Sequence, residues 1–193
     1  MRILIIQGHP DASIPHLGHA LEEAYAAGAV SAGHEVRRVN VAKLEFPLLR
    51  SEQEWEHGEL PEGLREAQAN ISWAQHIVLI FPLWLGDMPA MVKAFLEQVA
   101  RPGFAFTGDG ANPFARKGLT GRSARIIVTM GMPALIYRWY FFAHSLRSLD
   151  RNILRFVGIA PVRETLIGMV GKVDAERFRK LTTQMEALGR SGK

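Results

Sequence analysis

An unbroken apolar run, Ile77 to Phe81, leads straight into the loop Pro82-Leu83-Trp84-Leu85-Gly86-Asp87 and then into an amphipathic helix. A strand without polar alternation is buried on both faces, and such strands belong to parallel sheets covered by helices on each side. Open sheets of that kind bind ligands outside the carboxyl ends of their strands. The loop at this carboxyl end carries an indole and a glycine but no cluster of charge. It suits a flat ligand better than an ionic one.

The rest of the chain alternates around this segment. Ile3 to Ile6 predicts a short buried strand, and Leu17, Ala20, Leu21, Ala24, Tyr25 and Gly28 repeat at helical spacing. Glu35 to Val41 predicts a second strand, broken in polarity by Arg37 and Arg38. A helix opens at Pro61-Glu62 with Leu64, Ala67 and Ile71 inward, and the helix from Met88 turns Met91, Val92, Phe95 and Val99 inward. Between them, Phe46 to Glu59 is an acidic excursion holding Trp55. A Gly-rich, hairpin-like insertion (Pro102 to Gly121, with Gly108-Asp109-Gly110 as a turn) precedes a strand at Ala124 to Thr129 and helical sequence to about Phe156. A last strand at Val162 to Ile167 precedes a helix at Asp174 to Leu188, with Phe178, Leu181, Met185 and Leu188 inward. This βα alternation predicts one α/β domain over residues 1–193 with a five-stranded, doubly wound parallel sheet. The purely apolar strands belong in the middle and the charged ones at the edges, which gives the order 2-1-3-4-5. The switch point then lies between the first and third strands, and three loops face it: Gly8 to Gly18, Pro82 to Met88 and Met130 to Tyr137.

Composition removes several function classes. With no cysteine among 193 residues, disulfides, thiolate metal sites and cysteine nucleophiles are all excluded. Met1-Arg2 runs straight into Ile3-Leu4-Ile5-Ile6, so no secretory leader is expected. Ala134 to Phe142 is too short and too interrupted to span a bilayer, so no membrane insertion is expected and the expected location is cytoplasmic. The net charge of +4 is modest. Arg147, Arg151 and Arg155 would form one basic helical stripe, but no nucleic-acid motif or aromatic platform accompanies them, so nucleic acid is not expected as a ligand.

The loops narrow the ligand. There is no GxxxxGK[ST] and no glycine triplet after the first strand, so neither a P-loop nor a Rossmann turn is present. What the first loop offers is a hydroxyl (Ser13), two imidazoles (His9, His16) and the free amides of a helix start, which can take an anion. His9 alone could equally be a turn residue. Trp84 could be a core residue, but Gly86 beside it would let a planar ring approach the backbone. Thr129-Met130-Gly131 offers the same chemistry after the fourth strand. Tyr137 and His144, seven apart, would share a helical face and could relay a proton; packing or dimer contact among Trp139, Tyr140, Phe141 and Phe142 is the competing reading. His9, His16 and His19 lack a further ligand at suitable spacing, so no catalytic metal is expected.

Phe81-Pro82-Leu83-Trp84-Leu85-Gly86-Asp87-Met88-Pro89, with Lys93, Phe95 and Val99 behind it, resembles the signature of the NAD(P)H:quinone oxidoreductases, the DT-diaphorase family of flavodoxin-like fold. Gly103-Phe104-Ala105-Phe106 and Gly8-His9-Pro10-Asp11 are similar to further segments of that family, and the likeness runs from Ile3 to about Leu181. The resemblance implies a homodimeric flavoenzyme with FAD, or FMN, at the switch point. It implies cofactor contacts at His9, Ser13, His16, Leu17 and Gly18, at Pro82, Leu83, Trp84, Leu85 and Gly86, and at Thr129, Met130, Gly131 and Met132. Tyr137 and His144 become the candidate catalytic pair. The implied reaction is a ping-pong, two-electron transfer from NAD(P)H to a quinone-type acceptor, with the amides of Leu83 to Gly86 holding the flavin. The chain departs from the family at Leu17-Gly18, where Phe-Asn is common, and at Thr129 to Pro133, where Thr-Thr-Gly-Gly is common. An ancillary subunit of a potassium-efflux system, docking through the arginine stripe, is the alternative. An electron-transfer flavoprotein is a third reading, disfavoured by the basic surface and the insertion.

Overall fold

The computed structural model describes residues 1–107 and 116–193. The elements run β1 (Arg2–Gln7), α1 (Leu17–Ser31), β2 (Glu35–Asn40), α2 (Glu52–His57), α3 (Arg65–Trp73), β3 (His76–Pro82) and α4 (Ala90–Val99). They continue with β4 (Phe106–Thr107), β5 (Arg116–Lys117), β6 (Ser123–Thr129), α5 (Ala134–Trp139), α6 (His144–Ser148), a π-helical turn (Leu149–Leu154), β7 (Val162–Ile167) and α7 (Ala175–Ser191).

Five strands form a parallel sheet in the order β2-β1-β3-β6-β7, which is 2-1-3-4-5 when only these strands are counted. All seven residues of β3 are buried, whereas edge strands β2 and β7 are largely open. Polarity thus sorted the strands correctly. Alternation within each strand separates two apolar layers. Leu4, Ile6, Leu79 and Ile126 pack with α3, α4 and the α6 region; Ile3, Ile5, Val78 and Ile127 pack with α1 and α7. Between those two helices the backbones nearly touch: a Cβ on Gly28 would lie 2.1 Å from the Glu186 carbonyl, and one on Gly189 would lie 2.0 Å from that of Tyr25.

Four expectations shift. Met91 is exposed, because Val92, Phe95, Leu96 and Val99 already complete the inward stripe of α4 and Met91 falls on its flank. Phe178 is also exposed: α7 buries Met185 and Gly189, in the half where glycines admit α1, and leaves its first turn open. The acidic excursion contains a short helix, α2, capped by Ser51 Oγ on the Glu54 N–H (3.1 Å). The arginine stripe does not keep α-helical register, since the Arg155 N–H bonds to the carbonyl of Asp150, five residues back (2.9 Å), and its Nε pairs with the Asp150 carboxylate (2.7 Å). The ends of the expected hairpin are present as the antiparallel pair β4–β5; Gly108-Asp109-Gly110 lies outside the described residues. No helix among the described residues is long and apolar enough to cross a membrane.

Candidate functional site

The carboxyl ends of β1, β3 and β6 bring the three expected loops into contact. The Gly8 N–H donates to the Ile80 carbonyl (2.7 Å), and the Leu83 N–H donates to that of Thr129 (2.7 Å). The His9 ring meets the Trp84 indole edge-on, with centroids 5.9 Å apart. Loops one, two and three therefore lie side by side at this edge of the sheet.

The first loop folds around imidazoles and one carboxylate. His9 stacks on His16 at 3.7 Å, and His19 lies 5.6 Å and 5.7 Å from them. Burial, then the neighbouring His16, pushes the His9 pKa down, so its ring is neutral at physiological pH. Its backbone N–H donates to Gln7 Oε1 (3.1 Å), and Gln7 Nε2 donates to Glu22 (3.0 Å), so a fully buried amide at the end of β1 supports the loop from beneath. Burial raises the pKa of Glu22. The Asp11 carboxylate accepts from the Ser13 N–H (2.8 Å) and hydroxyl (2.5 Å) and lies 3.1 Å from His16 Nε2. Leu17 and Gly18 open α1 right behind these groups, with N–H groups that have no partner among the described residues.

The second loop is a tight turn. Trp84 and Asp87 exchange backbone hydrogen bonds (2.9 and 3.0 Å), and Leu85 and Gly86 between them both have positive φ, 48° and 81°. This is the primed hairpin geometry, which favours glycine. Asp87 Oδ1 accepts from the Met88 N–H (2.6 Å) and leads the chain towards α4. Trp84 is 50 % exposed, so it is a surface group of this edge and not a core residue. One expectation changes: the Leu83 and Trp84 amides are spent within the protein, which leaves those of Leu85 and Gly86 as the free donors of this loop among the described residues.

In the third loop the Met130 N–H donates to the Ile167 carbonyl (2.9 Å), and the Met130 and Met132 carbonyls accept from Val170 (3.2 Å) and Met169 (3.1 Å). The loop after β7 thus braces it from behind, a support that sequence spacing did not reveal. Gly131 remains exposed, with nothing within 4 Å of where its Cβ would be.

Tyr137 and His144 do not share a helical face, although Ala143 and Ser145 on either side of His144 both hydrogen-bond to Tyr137. The helix after β6 breaks at Tyr140 to Ala143, where Phe142 and Ala143 adopt positive φ (53° and 48°), so the two residues stand on separate helices and share no face. Tyr137 is buried, its hydroxyl 2.7 Å from Ser145 Oγ and accepting from the Leu146 N–H (3.2 Å). His144 is exposed, 5.8 Å from the Phe142 ring. Gln7 and Asp11 were missed as site residues; the signal for Gln7 was a polar side chain closing an otherwise apolar strand. A cavity of about 570 Å³ bounded by Trp55, Leu96, Phe106, Ile153 and Phe156 sits against the outer helices, away from the three loops.

Fold and loops together define an open α/β protein whose switch point gathers hydroxyl, imidazole and carboxylate groups beside an exposed indole. The chain belongs to the flavodoxin-like fold family, which matches residues 1–188, and the resemblance to the NAD(P)H:quinone oxidoreductases holds at that level. A Haemophilus influenzae protein named an uncharacterised NAD(P)H oxidoreductase is 26% identical over 191 residues, 97% of this chain and 93% of that one. The solved NAD(P)H:quinone oxidoreductase of Methanothermobacter marburgensis superposes with a TM-score of 0.81 at 23% identity, covering 100% of this chain and 99% of that one. An FMN-dependent NADH-azoreductase of Bacillus anthracis, solved with FMN, superposes at 0.73 and 16% identity, with 98% of each chain covered.

Proposed function

We propose that this protein is a flavin-dependent NAD(P)H dehydrogenase acting on quinones or similar two-electron acceptors by ping-pong exchange at one site. The observation that carries the reading is the junction of an anion seat with a flat apolar shelf at one edge of the sheet. The seat already holds a stand-in anion, the Asp11 carboxylate, on Ser13 and beside His16. That donor set, with the amides that open α1, fits a flavin phosphate. Trp84, Gly86 and Gly131 offer the shelf and the close backbone approach that a fused ring needs.

Within this reading His9, Ser13, His16, Leu17 and Gly18 bind the phosphate end. Pro82 to Gly86 and Thr129 to Met132 flank the ring, with the Leu85 and Gly86 amides as donors. FAD is the first choice and FMN the alternative. The chemistry supplied by a bound flavin is two-electron transfer, from NAD(P)H to the acceptor in successive half-reactions. His144 holds and releases protons at its exposed imidazole, and Tyr137 acts as a positioning residue by fixing the start of α6 through Ser145 and Leu146. A second copy of the chain covers the exposed apolar side chains of the second loop and of the segment after β6. A potassium-efflux subunit gains nothing from the arginine stripe, whose register is broken and whose Arg155 is already paired.

Heat-release of the chromophore from purified protein, followed by chromatography against FAD and FMN, tests the reading. A yellow protein that releases one of them is the expected result. A colourless protein whose absorbance and melting temperature ignore both flavins would overturn it.

A further inference from the structure

Asp11 occupies the donors that a phosphate would need. Its Oδ1 takes both the amide and the hydroxyl of Ser13, and its Oδ2 faces His16 Nε2. The loop backbone is held by other means: His9 Nδ1 lies 3.1 Å from the Asp11 amide nitrogen and 3.0 Å from its carbonyl oxygen. With its side chain 39% exposed, the carboxylate can leave by rotation about Cα–Cβ while the backbone stays in place.

We propose that Asp11 is a displaceable internal anion that fills the phosphate seat, so that only a phosphorylated ligand able to expel it binds there. The proposal rests on the flavin reading and adds its selectivity: Asp11 sets the threshold for phosphorylated flavins and leaves unphosphorylated flavin unaffected. The Ser13 hydroxyl, then its amide, hold the Asp11 carboxyl down to about 2. The cap therefore stays ionised at physiological pH, and a competing anion, not a proton, releases it.

Riboflavin and FMN differ only in the phosphate, and their binding to wild type, Asp11→Asn and Asp11→Ser can be read from flavin fluorescence quenching. Both variants should bind FMN about tenfold more tightly, because a charged acceptor roughly twice as strong as a neutral one has been removed, while riboflavin affinity stays within about twofold. An FMN affinity that is unchanged or weaker, or a riboflavin gain equal to the FMN gain, would overturn the proposal and make Asp11 a loop support. Pyrophosphate alone, followed by melting temperature, separates this from the flavin reading. If no protein quenches either flavin, the flavin reading fails, yet a larger pyrophosphate shift in Asp11→Asn than in wild type still upholds the cap. Equal shifts would sink the cap as well.

Discussion

His76 has no exposed surface, an Nδ1 hydrogen-bonded to Ser123 Oγ (2.8 Å), and an Nε2 without a partner among the described residues. Burial first, then the nearby Arg125 and Arg163, lowers its pKa to about 4. The unfolded chain would take up a proton near pH 6.5, so between those values the unfolded state binds more protons than the folded one. The stability tied to His76 is therefore complete above about pH 6.5 and lost as pH falls towards 4. Between pH 7 and pH 5 the wild type should lose about 2 kcal/mol more than His76→Gln, which cannot titrate. Urea unfolding of both at the two pH values measures this, and parallel losses would refute it. Such a residue is invisible to pattern reading, because His76 merely looks like the polar start of an apolar strand. Asp11 was equally hidden: its partners are local in sequence, but loop geometry decides whether Ser13 binds it or a ligand. Trp84 was only half legible: an indole just past a buried strand could have served the core, and the fold leaves it 50 % exposed.

At the scale of elements, turns and helix contacts set the demands. Gly86 has positive φ but open space in front of its missing side chain, so Gly86→Ala costs only backbone strain, about 1 kcal/mol. Gly131 has the same open space without positive φ. Gly131→Ala should leave denaturant stability within about 0.5 kcal/mol of wild type and weaken flavin binding at least severalfold, because the methyl group enters the space the ring requires. Urea titration and fluorescence quenching separate the two effects, and unaltered flavin affinity would remove Gly131 from the site. Gly189→Ala differs in kind. Its Cβ would press on the Tyr25 carbonyl and drive α7 off α1, at a cost of roughly 3 kcal/mol that should appear as a lower midpoint in thermal unfolding. Periodicity located α1 and α7 well. It did not reveal that they meet through glycines, nor that the helix after β6 breaks before His144, since both depend on what stands opposite.

For the molecule as a whole, large apolar side chains of the second loop and of the segment after β6 stand in solvent: Leu85, Leu135, Trp139, Tyr140 and Phe142 are all more than half exposed. Large apolar side chains held out to solvent in such number are a mark of interaction faces. If a second copy covers them, Trp139→Glu with Tyr140→Glu should convert a dimer into a monomer in sedimentation velocity while leaving the far-ultraviolet circular dichroism unchanged. A wild type that sediments as a monomer would count against the homodimer.

The order of strands and the layers of helices were determined by the chain's own pattern of apolar runs, because burial on two faces, one face or none leaves a different imprint on each strand. Which donors stay free was decided only by tertiary structure. The Leu83, Trp84 and Met130 amides look identical to their neighbours in sequence, yet each is consumed by a carbonyl brought to it by folding, and the Ser13 donors are consumed by Asp11. A hydrogen bond is a pairwise matter, and its partner is named only once the chain has closed on itself.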